Sequence, residues 1–110
     1  MNENIKSNYY AIIPAVVRYD KDLTDKAKLL YGEITCLCNK EGYCFATNNY
    51  FANLYNCTPR AIQLTISRLQ EKGYIKIIVE NNYQRKIYLT EALGYEKIFT
   101  LPHENNFIGG

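Results

Sequence analysis

The sequence holds no tryptophan, one histidine and no Cys-x-x-Cys pair, and these absences remove whole classes of function. His103, the lone histidine, stands in a polar C-terminal stretch apart from the cysteines, so no catalytic or metal-binding constellation gathers around it. Of the four cysteines, Cys36 and Cys38 fall two apart in a helical pattern, which turns them to nearly opposite sides and keeps them off a common ion. Free, mostly buried thiols at Cys36, Cys38, Cys44 and Cys57 are the expected state, in a reducing compartment. There is no glycine-rich loop of the P-loop pattern and no nucleophile beside a base. Neither an enzyme, nor a cofactor, nor a metal, nor a small-molecule substrate is expected. No run approaches the roughly 20 apolar residues of a membrane span, and Asn2, Glu3 and Asn4 lack the charged-then-apolar layout of a signal peptide. The expected location is the cytoplasm.

Nor is there much excess of charge, the formal total being +2 over 110 residues. Its distribution is uneven. Residues 1–57 are balanced, with six Lys and Arg against six Asp and Glu, whereas residues 58–90 carry six Lys and Arg against two Glu. That concentration fits a polyanion-binding face, the plain alternative being a solvated basic surface. The length is that of one domain with a single core. Tyrosine is plentiful, at 11 residues, and its rings suit the edge of a core with the hydroxyl left wet.

The most informative stretch is Thr58–Gly73. Thr58 is placed to cap a helix, Pro59 sits where a missing N–H is harmless, and Lys72 and Gly73 mark the far end. Ile62, Ile66 and Leu69 share one face, while Arg60, Gln63, Leu64 and Ser67 gather on the other. At about 1.5 Å per residue such a helix is roughly 20 Å long, enough to lie in a DNA major groove.

Residues 1–8 read as a frayed polar arm, and Tyr9–Ile13 as a strand or an extended segment laid on the core. Ala15–Arg18 has room for one helical turn. Leu23 and Thr24 open a helix to about Asn39, with Ala27, Leu30, Tyr31, Ile34, Leu37 and Cys38 as its buried stripe. Gly32 within it predicts a close approach by another element. Tyr43–Phe45 is expected to add a short strand. Thr47 then caps a short helix over Asn48–Tyr55, with Phe51, Ala52 and Tyr55 inward, and Asn56 takes a left-handed turn into the Thr58 helix. Two helices joined so tightly make a helix-turn-helix. After Gly73 the period falls to about two, so Tyr74–Val79 and Arg85–Leu89 read as a hairpin around Asn81-Asn82. The fold class expected is mainly α with a small antiparallel sheet, a winged helix-turn-helix over residues 9–90, followed by an extension or linker over 91–110.

The matching residues Ile13-Pro14, Leu23-Thr24, Ala27–Tyr31, Cys44–Thr47, Phe51-Ala52, Cys57–Ile62 and Glu71–Ile75 resemble a known family. It is the N-terminal winged-helix domain of phage and plasmid replication initiator and replisome-organiser proteins, related to the DnaD-like primosome proteins. Ala46 and Thr47 stand where that family often has Pro and Ser, and Asn56 where it often has Gly. The resemblance implies binding of double-stranded origin DNA in DNA replication initiation, with contacts to other replisome proteins and a homodimer as further partners. Larger members continue into a C-terminal domain.

By that resemblance the Thr58–Lys72 helix is the recognition helix. Arg60 would meet guanine and Gln63 adenine, with Thr58 and Ser67 on phosphates. Leu64 would touch a thymine methyl or, the preferred reading, pack under the wing. Arg68 and Lys72 would bind the DNA backbone or form pairs on the helix surface. Arg85 and Lys86 on the wing would lie on phosphates or in the minor groove, with Tyr83, Lys28 and Asn49 as weaker flanking candidates. Three readings compete with initiation: a transcriptional regulator of the same fold, a winged helix used for protein interaction or dimerisation, and a single-strand binder stacking bases on exposed tyrosines.

Overall fold

Three threonines set the helical frame. Each stands in extended backbone and accepts a hydrogen bond from the N–H three residues on: Thr24 from Ala27, Thr47 from Tyr50 and Thr58 from Ala61, all at 3.1 Å. Such a cap satisfies a donor that the first turn would otherwise leave open. In the computed structural model, which describes residues 10–81 and 84–90, the helices that follow are α2 (Asp25–Glu41), α3 (Asn48–Tyr55) and α4 (Pro59–Glu71), preceded by the single turn α1 (Ala15–Arg18). Strands β1 (Ile75–Glu80) and β2 (Gln84–Leu89) pair antiparallel, from Ile75 opposite Leu89 to Glu80 opposite Gln84. This is the expected α+β winged helix-turn-helix. The 1–8 arm, Tyr9, Tyr83, His103 and the 91–110 extension lie outside the described residues.

The core is built by the apolar stripes of the helices against the inner face of the wing. Leu30, Tyr31 and Ile34 of α2, Phe51 of α3, Ile62, Ile66 and Leu69 of α4 and Ile87 of β2 are buried together. The α2 stripe is the one expected, with Leu37 only half-buried at its edge. Burying each such side chain stabilises the fold by about 1.5–3 kcal/mol.

Several local expectations are refined. The N-terminal segment is extended, not a strand: the Ile12 N–H donates to the Thr35 hydroxyl of α2 at 2.9 Å. It lies so close to α2 that a Cβ at Gly32 would stand 3.0 Å from the Ala11 Cβ and 3.1 Å from Ile13 Cγ1. The close approach anticipated at Gly32 is therefore this segment. Helix α2 runs two residues beyond Asn39, to Glu41. The strand expected at Tyr43–Phe45 contracts to one paired residue, Cys44, which exchanges backbone hydrogen bonds of 2.9 and 2.7 Å with Ile87. Cys44 faces the core, and residues 42–46, all that lie between the end of α2 and the Thr47 cap, leave little length for more pairing.

Candidate nucleic-acid interface

The turn between α3 and α4 fixes where α4 points. Asn56 takes left-handed backbone, φ 57° and ψ 52°, with its N–H bonded to the Ala52 carbonyl, and the Cys57 N–H bonds to that carbonyl as well. Asn is one of the few residues that enter this region readily. A hydrogen bond of 3.2 Å from the Tyr55 hydroxyl to the Glu33 carboxylate ties α3 to α2 behind the turn. Burial and Glu33 together push the Tyr55 hydroxyl's pKa upward, so it stays a donor.

Helix α4 then divides cleanly. Ile62, Ile66 and Leu69 are buried, while Thr58, Arg60, Gln63, Leu64, Ser67 and Arg68 are exposed. Leu64 is 58% exposed, so it does not pack under the wing as preferred above. It lies one turn from Arg60 and Ser67 on the outward face, and the core side is filled by its neighbours Ile62 and Ile66. Arg60 forms no ion pair among the described residues, whereas Arg68 pairs with Glu71 at 3.1 Å across an exposed turn. Such exposed pairs are weak, about 0.3–0.5 kcal/mol. Lys28 on α2 is half-buried and Asn49 on α3 exposed.

The far end of α4 is committed elsewhere. Gly73 takes φ 82°, which lets the Tyr74 N–H close on the Leu69 carbonyl at 3.0 Å. Lys72 turns toward the loop before α2, with its ammonium 3.2 Å from Asp20 and 3.1 Å from Asp22. The Tyr74 hydroxyl donates to Asp20 as well. That hydrogen bond, the Asp22 N–H and Lys72 hold the Asp20 carboxyl down at about 2. Asp22 and Asp20 in turn raise Lys72. The Lys72 charge is thus balanced within the molecule.

The wing's basic pair is also engaged. Arg85 Nε and Nη2 donate to the Ala46 carbonyl at 3.3 and 3.0 Å, clamping β2 to the segment that leads into α3. Burial lowers the pKa of this guanidinium. Lys86 sits 3.2 Å from Glu80 across the hairpin and 4.7 Å from the centre of the Tyr43 ring. Neither the Arg85 clamp nor the tie of Lys72 and Tyr74 to the aspartates was legible in the sequence, since Ala46 offers only its backbone and the aspartates lie 50 or more residues from their partners.

Among the described residues no group of His, Cys, Asp and Glu could hold a metal ion. Cys38 and Cys44 are buried, and burial pushes their thiols up to about 12 and about 11. No helix among the described residues is long and apolar enough to cross a membrane. A family model described as a helix-turn-helix domain matches residues 21–75, half of the chain, from the loop before α2 to the start of β1. Comparison with curated proteins and with solved structures gives no match.

Proposed function

The chain belongs to this helix-turn-helix domain family, and we propose that it binds double-stranded DNA in a sequence-specific manner, with α4 in the major groove. The observation that carries the reading is the outward face of α4. Arg60, Gln63, Leu64 and Ser67 project from a helix whose opposite side is locked into the core. An arginine there can meet guanine O6 and N7 with two parallel hydrogen bonds, a glutamine can do the same at adenine, and a leucine suits a thymine methyl. The chain acts in this reading as a binding protein, not an enzyme.

The role we assign is DNA replication initiation, as an origin-binding initiator or replisome organiser. Its support is the resemblance carried by Ile13-Pro14, Leu23-Thr24 and Cys57–Ile62. A titration of duplex DNA selected from a random pool tests the contact, and the position of the selected site, inside an origin or inside a promoter, tests the role against transcriptional regulation. Arg60→Ala should weaken the selected site by about 1–3 kcal/mol and relax preference at one base pair. Absence of duplex binding at low salt would sink the proposal.

A further inference from the structure

Beyond α4, the wing has a second surface on the side away from the core. The strand register sets which side chains share it: Lys76 stands opposite Tyr88 and Ile78 opposite Lys86, alternating with Ile77 and Ile87, which face inward. Cys44 pairs with Ile87 and is buried, so its neighbours Tyr43 and Phe45 fall on the outer side. Three rings therefore form a row. The Tyr43 ring centre lies 6.1 Å from that of Phe45 and 5.7 Å from that of Tyr88. Phe45 is 51% exposed and Lys76 is exposed beside the row. Lys86 covers Tyr43 at 4.7 Å, and among the described residues it pairs with one carboxylate, that of Glu80.

We propose that this face binds an unpaired nucleic-acid strand, with a base stacking on Phe45 at the end of the ring row and phosphates meeting Lys76 and Lys86. The composition of the patch selects that occupant. Its apolar area is mostly flat rings, with Ile78 the one aliphatic side chain, and the rings are interleaved with two lysines against one glutamate. Planar π-faces beside cations match a strand whose every unit offers a base and a phosphate. A protein interface also favours aromatic rings but keeps lysine out of its centre, whereas here Lys86 lies over the middle ring of the row. The surface is separate from the outward face of α4, so it stands whether or not α4 reads duplex DNA.

The test is fluorescence anisotropy with a labelled oligothymidylate of about 12 nucleotides, in parallel with the selected duplex, at low and moderate salt. A ribonucleotide oligomer of equal length reports which strand chemistry is preferred. Phe45→Ala should weaken the single strand about tenfold and leave the duplex unchanged, and Arg60→Ala should do the reverse. Because Phe45 is half-exposed, its truncation leaves the core intact, and Lys76→Gln on the opposite strand should weaken the single strand independently. Glu80→Gln frees Lys86 and should tighten it. Single-strand binding without duplex binding would remove the α4 reading and keep this one. The proposal is overturned by no single-strand binding at low salt, by equal affinity of wild type and Phe45→Ala, by loss of single-strand binding in Arg60→Ala, or by a concentration-dependent dimer that Phe45→Ala abolishes.

Discussion

Lys72 closes the helix that faces DNA in the proposed complex, yet its ammonium points to Asp20 and Asp22. At the scale of single residues the helix is thus held from behind. Asp20 is the centre of that tie, accepting from Tyr74 and Lys72 at once. Its pKa is about 2 in the folded protein against an ordinary value of 3.8. A depressed carboxylate contributes stability that is complete above the unfolded value and is lost as pH falls through the folded one. Asp20→Asn should therefore lower the melting temperature at neutral pH, and the gap to wild type should close as pH drops from about 4 toward 2. A gap that stays constant over that range would show that the carboxylate charge contributes nothing. Arg85 makes a second case. The resemblance implies a place on phosphates or in the minor groove, but its two bonds to the Ala46 carbonyl give it a structural task. Removing a charged donor of this kind costs about 1.5–3 kcal/mol. Arg85→Ala should show that loss in urea denaturation before any DNA is added. Unchanged stability would return the residue to the DNA face alone.

At the scale of elements, the helices were legible because each carries its own punctuation. Thr24, Thr47, Pro59, Asn56 and Gly73 act within one turn of their own positions, so local sequence states them directly. The Cys44 strand was overestimated because pairing length depends on where β2 passes, which three residues do not encode. Gly32 was legible as a question and not as an answer: a glycine inside α2 announced a neighbour without naming it. The neighbour is the extended segment at Ala11 and Ile13. Alanine at this position would gain about 1 kcal/mol of helix propensity, but forcing a methyl into a filled gap costs about 1–3 kcal/mol. Gly32→Ala should accordingly be destabilising by up to about 2 kcal/mol, with the Ile12–Thr35 hydrogen bond weakened first. Adding Ala11→Gly opens the nearest contact and should recover part of the loss, since residues in contact do not add independently. If the single variant proved more stable than wild type, the segment would be shown to yield freely.

At the scale of the whole molecule, the count of basic residues overstates the charge available to a polyanion. Residues 58–90 hold six Lys and Arg, which in sequence suggested a broad basic face. In the fold, Lys72 is neutralised by two aspartates, Arg85 is turned onto the Ala46 carbonyl and Lys86 pairs with Glu80. The Lys72 and Arg85 ties join segments far apart in the chain, the Lys86 pair spans one hairpin, and composition could not have shown any of them. Among the described residues Arg60 and Lys76 form no ion pair, and Arg68 has the weak exposed pair with Glu71. The energetics of duplex binding should follow from this. Each phosphate neutralised contributes about −0.9 to the slope of log K against log salt. Two or three cations are available beside α4, Arg60 and Arg68 with Lys28 at the flank, and they give a slope of about −2 to −3, well short of what six would give. Titrations of a specific duplex between 50 and 200 mM salt measure it directly. Glu80→Gln, which frees Lys86 on the outer wing face, should steepen the single-strand slope by about 0.7 and leave the duplex slope unchanged. A wild-type slope near −6 would mean that the internal pairs open on binding, and that α4 gives up its anchor at Asp20 to gain the DNA.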